Sequence, residues 1–137
     1  MTTAAEIMTP SPRCIGVNDS LRIAASVMAD LDVGALPICG EDSKLKGMLT
    51  DRDIVVRGIA MGMDPETTPA GALAQGKPVT VAADDDVRVA LDLMQEHQVR
   101  RLPVIQDRLL VGIVSQADIA LSLSASTTGK TVESISR

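Results

Sequence analysis

The stretch GMLTDRDI, Gly47 to Ile54, decides the fold because it occurs a second time as GIVSQADI, Gly112 to Ile119. The phrase ahead of each copy is also shared: VGALPICG (Val33 to Gly40) answers VRRLPVIQ (Val99 to Gln106). Pro37 and Pro103 stand 66 residues apart, and Asp53 and Asp118 stand 65 apart, so one residue is lost from a turn between them. A unit of this length present twice implies two similar folded halves related by a pseudo-twofold. It also implies two similar clefts, which is where a small molecule would bind.

Working outward from the repeat, each half reads as strand, helix, strand, strand, helix. In the first half Arg13 to Val17 can form a short strand, and Asn18-Asp19-Ser20 offers helix N-cap chemistry. Leu21, Ala24, Ala25, Val27, Met28 and Leu31 then follow helical spacing. Ala35 to Cys39 and Leu45 to Thr50 are strands around the turn Gly40 to Lys44, and Asp51 to Ala60 is a second helix. The second half repeats the order. Pro78 to Ala82 is a strand, and Asp84-Asp85-Asp86 caps a helix with the apolar face Val87, Ala90, Leu91 and Met94. Strands Arg101 to Ile105 and Leu109 to Ser115 precede a last helix, Gln116 to Leu123. Short lead-in helices stand at residues 4 to 9 and 70 to 75. The boundaries that follow are 6–62 for the first repeat, 63–68 for a linker marked by Pro65, and 69–123 for the second repeat. The Ser/Thr-rich stretch 124–137 reads as a flexible tail.

Composition limits what such a module does. The chain has 137 residues, long enough for a shared core but short for two independent domains. It is 45% hydrophobic yet contains no Phe, Tyr or Trp, so Val, Leu, Ile, Ala and Met must fill the interior. Base stacking on aromatic rings is thereby excluded. The formal net charge of −5 argues against a phosphate-backbone binder, and nucleic acid is not an expected partner. No apolar run approaches the ~20 residues of a membrane span, and the start Met1-Thr-Thr-Ala-Ala-Glu reads as no signal peptide. A cytoplasmic protein without membrane association is expected.

These features resemble a tandem pair of CBS domains, the arrangement called a Bateman module. The resemblance rests on the paired Leu-Pro-Ile and Leu-Pro-Val strands and on the two Gly-x-x-Thr/Ser-x-x-Asp ends, and it covers about residues 6 to 122. GALPICG, GMLTDRDIVVRG and EHQVRRLPVI are especially similar to small stand-alone CBS-pair proteins of the actinobacterial hypoxic-response type, which implies a stress-response role. The fold class is therefore α/β (α+β): two β-α-β-β-α repeats packed with pseudo-twofold symmetry.

Thr50 and Asp53 fall at N-cap and N3 of one helix, and Ser115 and Asp118 at the same places in the other. Capping alone accounts for such residues. The hydroxyl accepts an N–H, the carboxylate favours the positive helix end, and each cap contributes ~1 kcal/mol. The same geometry also suits a nucleotide, with phosphate at the helix start and the carboxylate on ribose hydroxyls. The resemblance favours this second use. It implies that Thr50 and Asp53 face Lys77, Val79, Val99 and Arg100, and that Ser115 and Asp118 face Arg13, Ile15, Val33 and Gly34. With Arg52, Lys77 and Arg100 available, the first cleft is expected to prefer more phosphate. AMP, ADP, ATP or S-adenosylmethionine are the expected regulatory ligands, with no cofactor required. Without aromatic rings affinity should be modest, and a micromolar site corresponds to about −8 kcal/mol.

Cys14 and Cys39 lie on strands of the first repeat that the fold makes neighbours, while the second repeat has Thr80 and Ile105 there. They are either two buried thiols or a disulfide of structural or redox-responsive kind. His97, the single histidine, has no zinc-motif spacing around it, so no metal is expected. The seven methionines read as core filler. No catalytic triad, Walker loop or GxGxxG motif is present, and no enzymatic activity is expected. The expected function is ligand sensing by a homodimer that signals to an unknown effector protein. The competing expectation is a structural or interaction scaffold with no ligand, for which a Cys14–Cys39 bridge would act as a redox lock.

Overall fold

The computed structural model describes residues 1–74 and 78–124. Lys77 and the expected tail beyond Ser124 lie outside the described residues. The chain forms two compact units. One takes Arg13–Pro78, and the other takes Met1–Pro12 together with the chain from Val79 onward. Sequence repeats and compact units are thus different partitions, because each lead-in segment packs with the repeat it does not precede.

In the unit Arg13–Pro78, β2 (Ile15–Gly16) runs parallel to β3 (Ala35–Cys39), which pairs antiparallel with β4 (Leu45–Thr50). Between β2 and β3, helix α2 spans Leu21–Leu31. Its start is fixed by Ser20, whose Oγ accepts the Ile23 N–H at 3.1 Å. Leu21, Ala24, Val27 and Met28 are buried as the spacing predicts, but Ala25 and Leu31 are exposed. The core of this unit is aliphatic, with Ile15, Leu36, Ile38, Leu49 and Leu73 all nearly inaccessible. In the turn after β3, Asp42 accepts the Lys44 N–H and the Lys46 ammonium, which together hold its carboxyl below the usual carboxylate range.

The expected helix after Thr50 is present, but Asp53–Gly58 is wound as a π-helix and continues as a 3₁₀ turn through Met61. Ile54 and Gly58 face inward. A Cβ added to Gly58 would lie 3.1 Å from a Leu21 methyl, so the backbone here sits directly on α2. The second lead-in segment, Ala70–Leu73, is a 3₁₀ turn that buries Ala70 and Leu73 in this same unit.

In the other unit the described residues form a four-stranded sheet. β5 (Val81–Ala82) runs parallel to β6 (Arg101–Gln106), which forms a hairpin with β7 (Leu109–Ser115). The N-terminal segment supplies the remaining edge: β1 (Thr9–Pro10) pairs antiparallel with β7, and α1 (Ala4–Ile7) precedes it. Helix α3 (Val87–His97) is capped by Asp86, which accepts the Arg88 N–H at 2.9 Å. Asp85 turns instead to the Ala82 N–H at 3.1 Å, as Asp19 does to Gly16 at 2.8 Å in the other unit. Helix α4 spans Gln116–Ser124. Ala90, Leu102, Val104, Val114 and Ile119 are completely buried.

The duplicated pattern is therefore realised down to its irregularities. Both hairpins shift register at matching places, Ile38/Cys39 and Val104/Ile105. Both long helices end on a left-handed residue, Asp32 and Gln98. The repeated motif glycines also share one reason. A Cβ on Gly47 would meet Ala74 at 2.9 Å, and one on Gly112 would collide with Met8, so each glycine admits a lead-in segment against its hairpin. No helix among the described residues is long and apolar enough to cross a membrane.

Candidate functional site

The two Thr/Ser-x-x-Asp turns sit where a hairpin strand passes into a helix. In the first, the Asp53 N–H donates to Thr50 Oγ1 at 3.0 Å, and the Thr50 N–H donates to Asp53 Oδ2 at 3.0 Å. In the second, the Asp118 N–H donates to Ser115 Oγ at 3.1 Å, and the Ser115 N–H donates to Asp118 Oδ2 at 2.8 Å. These are reciprocal capping boxes with aspartate in the acidic position. All four residues are half-buried. Each box spends one carboxylate oxygen on the backbone and leaves the other for a further partner.

In the first turn that other oxygen is taken. Arg57, one helical turn on, donates from a terminal guanidinium nitrogen to Asp53 Oδ1 at 3.3 Å, and the same nitrogen donates to the Leu73 carbonyl at 2.8 Å. The position matching Arg57 in the second repeat is Ser122. Arg57 is absent from the sequence-level site, although its signal was available as an Asp-to-Arg pair at i, i+4.

The strand edge beside each turn belongs to the same unit. The Asp51 N–H donates to the Gly34 carbonyl, and the Gln116 N–H donates to the Arg100 carbonyl, both at 2.9 Å. Val33-Gly34 thus borders the Thr50 turn, and Val99-Arg100 borders the Ser115 turn. In the second case the edge opens into a pocket of about 300 Å³ lined by Leu91, Met94, Gln95, Gln98, Val99, Arg100 and Gln116. Aliphatic walls and amide groups suit an aromatic-free ligand site. Of the other expected residues, Arg13, Arg52 and Arg100 are exposed, Val79 is half-buried, and Ile15 is buried in the core.

Cys14 and Cys39 are joined as a disulfide with their Cα atoms 5.8 Å apart. Ile15 and Gly16, next along the chain from Cys14, pair with Ile38 and Cys39, which brings the two sulfurs together. Cys14 is exposed and Cys39 buried, so the reading of two buried thiols does not hold. Cys39 also lines a pocket of about 230 Å³ with Gly16 to Asp19, Gly40 and Glu41. His97 is exposed at the end of α3.

A CBS domain model matches residues 4–58 and again residues 70–125. The chain belongs to the CBS domain family. Among relatives of this CBS-domain protein is Hypoxic response protein 1 of Mycobacterium tuberculosis, 52% identical over 123 residues, which cover 90% of this chain and 86% of that protein. A crystal structure of Hypoxic Response Protein I with two coordinated zinc ions matches with a TM-score of 0.84, covering 90% of this chain and all of that one. A CBS domain protein from Pyrobaculum aerophilum complexed with AMP is 26% identical with a TM-score of 0.78, over 91% of this chain and all of the other. The expected tandem CBS fold and the hypoxic-response resemblance are both borne out.

Proposed function

We propose that this CBS pair is a non-catalytic ligand-sensing module that binds an adenosine-type nucleotide at one or both Thr/Ser-x-x-Asp turns. The duplicated turn carries the reading. Each box holds a half-buried carboxylate whose second oxygen is not needed for capping, and such an oxygen is suited to ribose hydroxyls. Thr50 and Ser115 would stand near phosphate, with Arg52 or Arg100 beside it. Val33-Gly34 and Val99-Arg100 would border the base, with Arg13, Ile15, Lys77 and Val79 as further lining residues. AMP bound to a relative of the same fold supports the ligand class. AMP, ADP, ATP and S-adenosylmethionine are the candidates, and no cofactor is required.

The output of such a module is a changed protein contact. Val55 and Val56 on the π-helical segment, Ile59 on the 3₁₀ turn that follows it and Leu121 on α4 are exposed apolar side chains, with Val56 and Leu121 at matching repeat positions. They suit pairing with a second copy, and the bound state would be read by an effector protein. We assign the protein to the cytoplasm, where a Cys14–Cys39 bridge would respond to redox conditions. No metal is assigned. Among the described residues no three His, Cys, Asp or Glu side chains are grouped to hold one, and both thiols are consumed in the disulfide.

Equilibrium dialysis against the four candidate ligands tests the reading. Binding in the micromolar range that disappears in the Asp53→Ala/Asp118→Ala double variant supports it. The specific alternative is a disulfide-locked scaffold in which the boxes only cap helices, and it predicts no retention of any of the four.

A further inference from the structure

The geometry points to Arg57 as a built-in occupant of the first ribose position, so that the two turns are unequal and nucleotide enters at Asp118. The inference rests on the nucleotide reading above and sharpens it to one site per chain. In each turn the capping box uses Oδ2, so Oδ1 is the oxygen left to receive a ribose hydroxyl. At Asp53 Oδ2 accepts the Thr50 N–H and Oδ1 accepts Arg57. The side chains of Asp53 and Arg57 are only 24% and 31% exposed, so their pairing is partly shielded from water. The guanidinium is also held from the far side, because its bond to the Leu73 carbonyl ties it to the 3₁₀ turn Ala70–Leu73. A ribose arriving at Asp53 must displace a charge-assisted bond and leave a guanidinium with one partner fewer.

The second turn lacks this occupant. Asp118 makes the same capping box through Oδ2. Serine stands at position 122, where the repeat would otherwise bring a guanidinium, and no cation among the described residues pairs with Asp118. A pocket lined by Val99, Arg100 and Gln116 borders this turn through Gln116, with Ser115 and Asp118 outside its lining. Arg57 is thus a specificity-determining residue that acts by filling a position, and it need not touch the bound ligand. This runs against the sequence expectation that the first cleft, with Arg52, Lys77 and Arg100 available, takes the ligand with more phosphate.

Isothermal titration of the full chain with AMP, repeated with ATP and S-adenosylmethionine, tests the inference by stoichiometry. The wild type is expected to bind one nucleotide per chain. Asp118→Asn should weaken that binding by about tenfold or more, the loss of one charge-assisted hydrogen bond. Arg57→Gln should raise the stoichiometry from one to two. The mirror variant Ser122→Arg should weaken the wild-type site by about tenfold, and it tests the idea even if Arg57→Gln does not fold. Two sites in the wild type, or a single site that Asp118→Asn leaves unchanged, overturns the role of Arg57 but keeps nucleotide binding. No heat from any of the three ligands, in wild type and Arg57→Gln alike, overturns both.

Discussion

At Thr50 and Ser115 a single hydroxyl closes each helix start, and the loss of that bond is measurable on its own. Thr50→Ala and Ser115→Ala should each lower stability by about 1 kcal/mol, the ordinary value of an N-cap. Urea unfolding followed by far-ultraviolet circular dichroism reads this without aromatic residues. The aspartates behave differently, because each accepts a backbone N–H while keeping an oxygen for another partner. Gly112 has a purely steric role. Met8 and the Thr9 carbonyl leave no room for a Cβ there. Gly112→Ala should therefore cost more than either cap, about 1–3 kcal/mol as for other overpacked sites, in the same urea experiment. The sequence shows these glycines as invariant punctuation of the repeat. Their cause lies in segments more than 25 residues away along the chain, so it was not legible there.

Among the elements, the hairpins were the easiest to foresee. Ala35–Cys39, Leu45–Thr50 and Leu109–Ser115 form as the apolar runs and their flanking turns indicate. The strands at residues 13–17 and 78–82 shrink to Ile15–Gly16 and Val81–Ala82, because each pairs along only two residues of its neighbour. The π-wound Asp53–Gly58 was not foreseen, since side-chain spacing reports a helical face but not the hydrogen-bond step along the backbone. The capping turns were legible as residue types, yet nothing local indicated that Arg57 would reach the Leu73 carbonyl from the first of them. The disulfide links two neighbouring strands of one unit and closes a separation of 25 residues. On the chain-entropy model it contributes roughly 3.5 kcal/mol. Urea midpoints with and without a thiol reductant should differ accordingly, and Cys14→Ser/Cys39→Ser should match the reduced wild type. Identical midpoints would remove the bridge from the account of stability.

Over the whole molecule, the duplication was legible and the exchange of lead-in segments was not. Patterns along a chain identify repeats, but which segment packs on which hairpin is a long-range choice. It is made here by the glycine-lined surfaces at Gly47 and Gly112. Four of the apolar side chains left outside, Val55, Val56, Ile59 and Leu121, are assigned to the proposed homodimer. Ile59→Glu with Leu121→Glu should convert the protein to a monomer in sedimentation equilibrium, whereas a wild type that already sediments as a monomer would rule the dimer out. An aromatic-free interior also dictates how binding must be followed, because the chain has no intrinsic fluorophore. The central claim is that the folded chain binds an adenosine-type nucleotide. Thermal unfolding monitored with an extrinsic dye, with and without AMP, ADP, ATP or S-adenosylmethionine, tests it most directly. At one hundred times its Kd a ligand specific for the folded state adds about 2.7 kcal/mol, so the account predicts an upward shift of several degrees for at least one of the four, abolished in Asp53→Ala/Asp118→Ala. An unchanged midpoint with all four, or a shift that survives in the double variant, would contradict it.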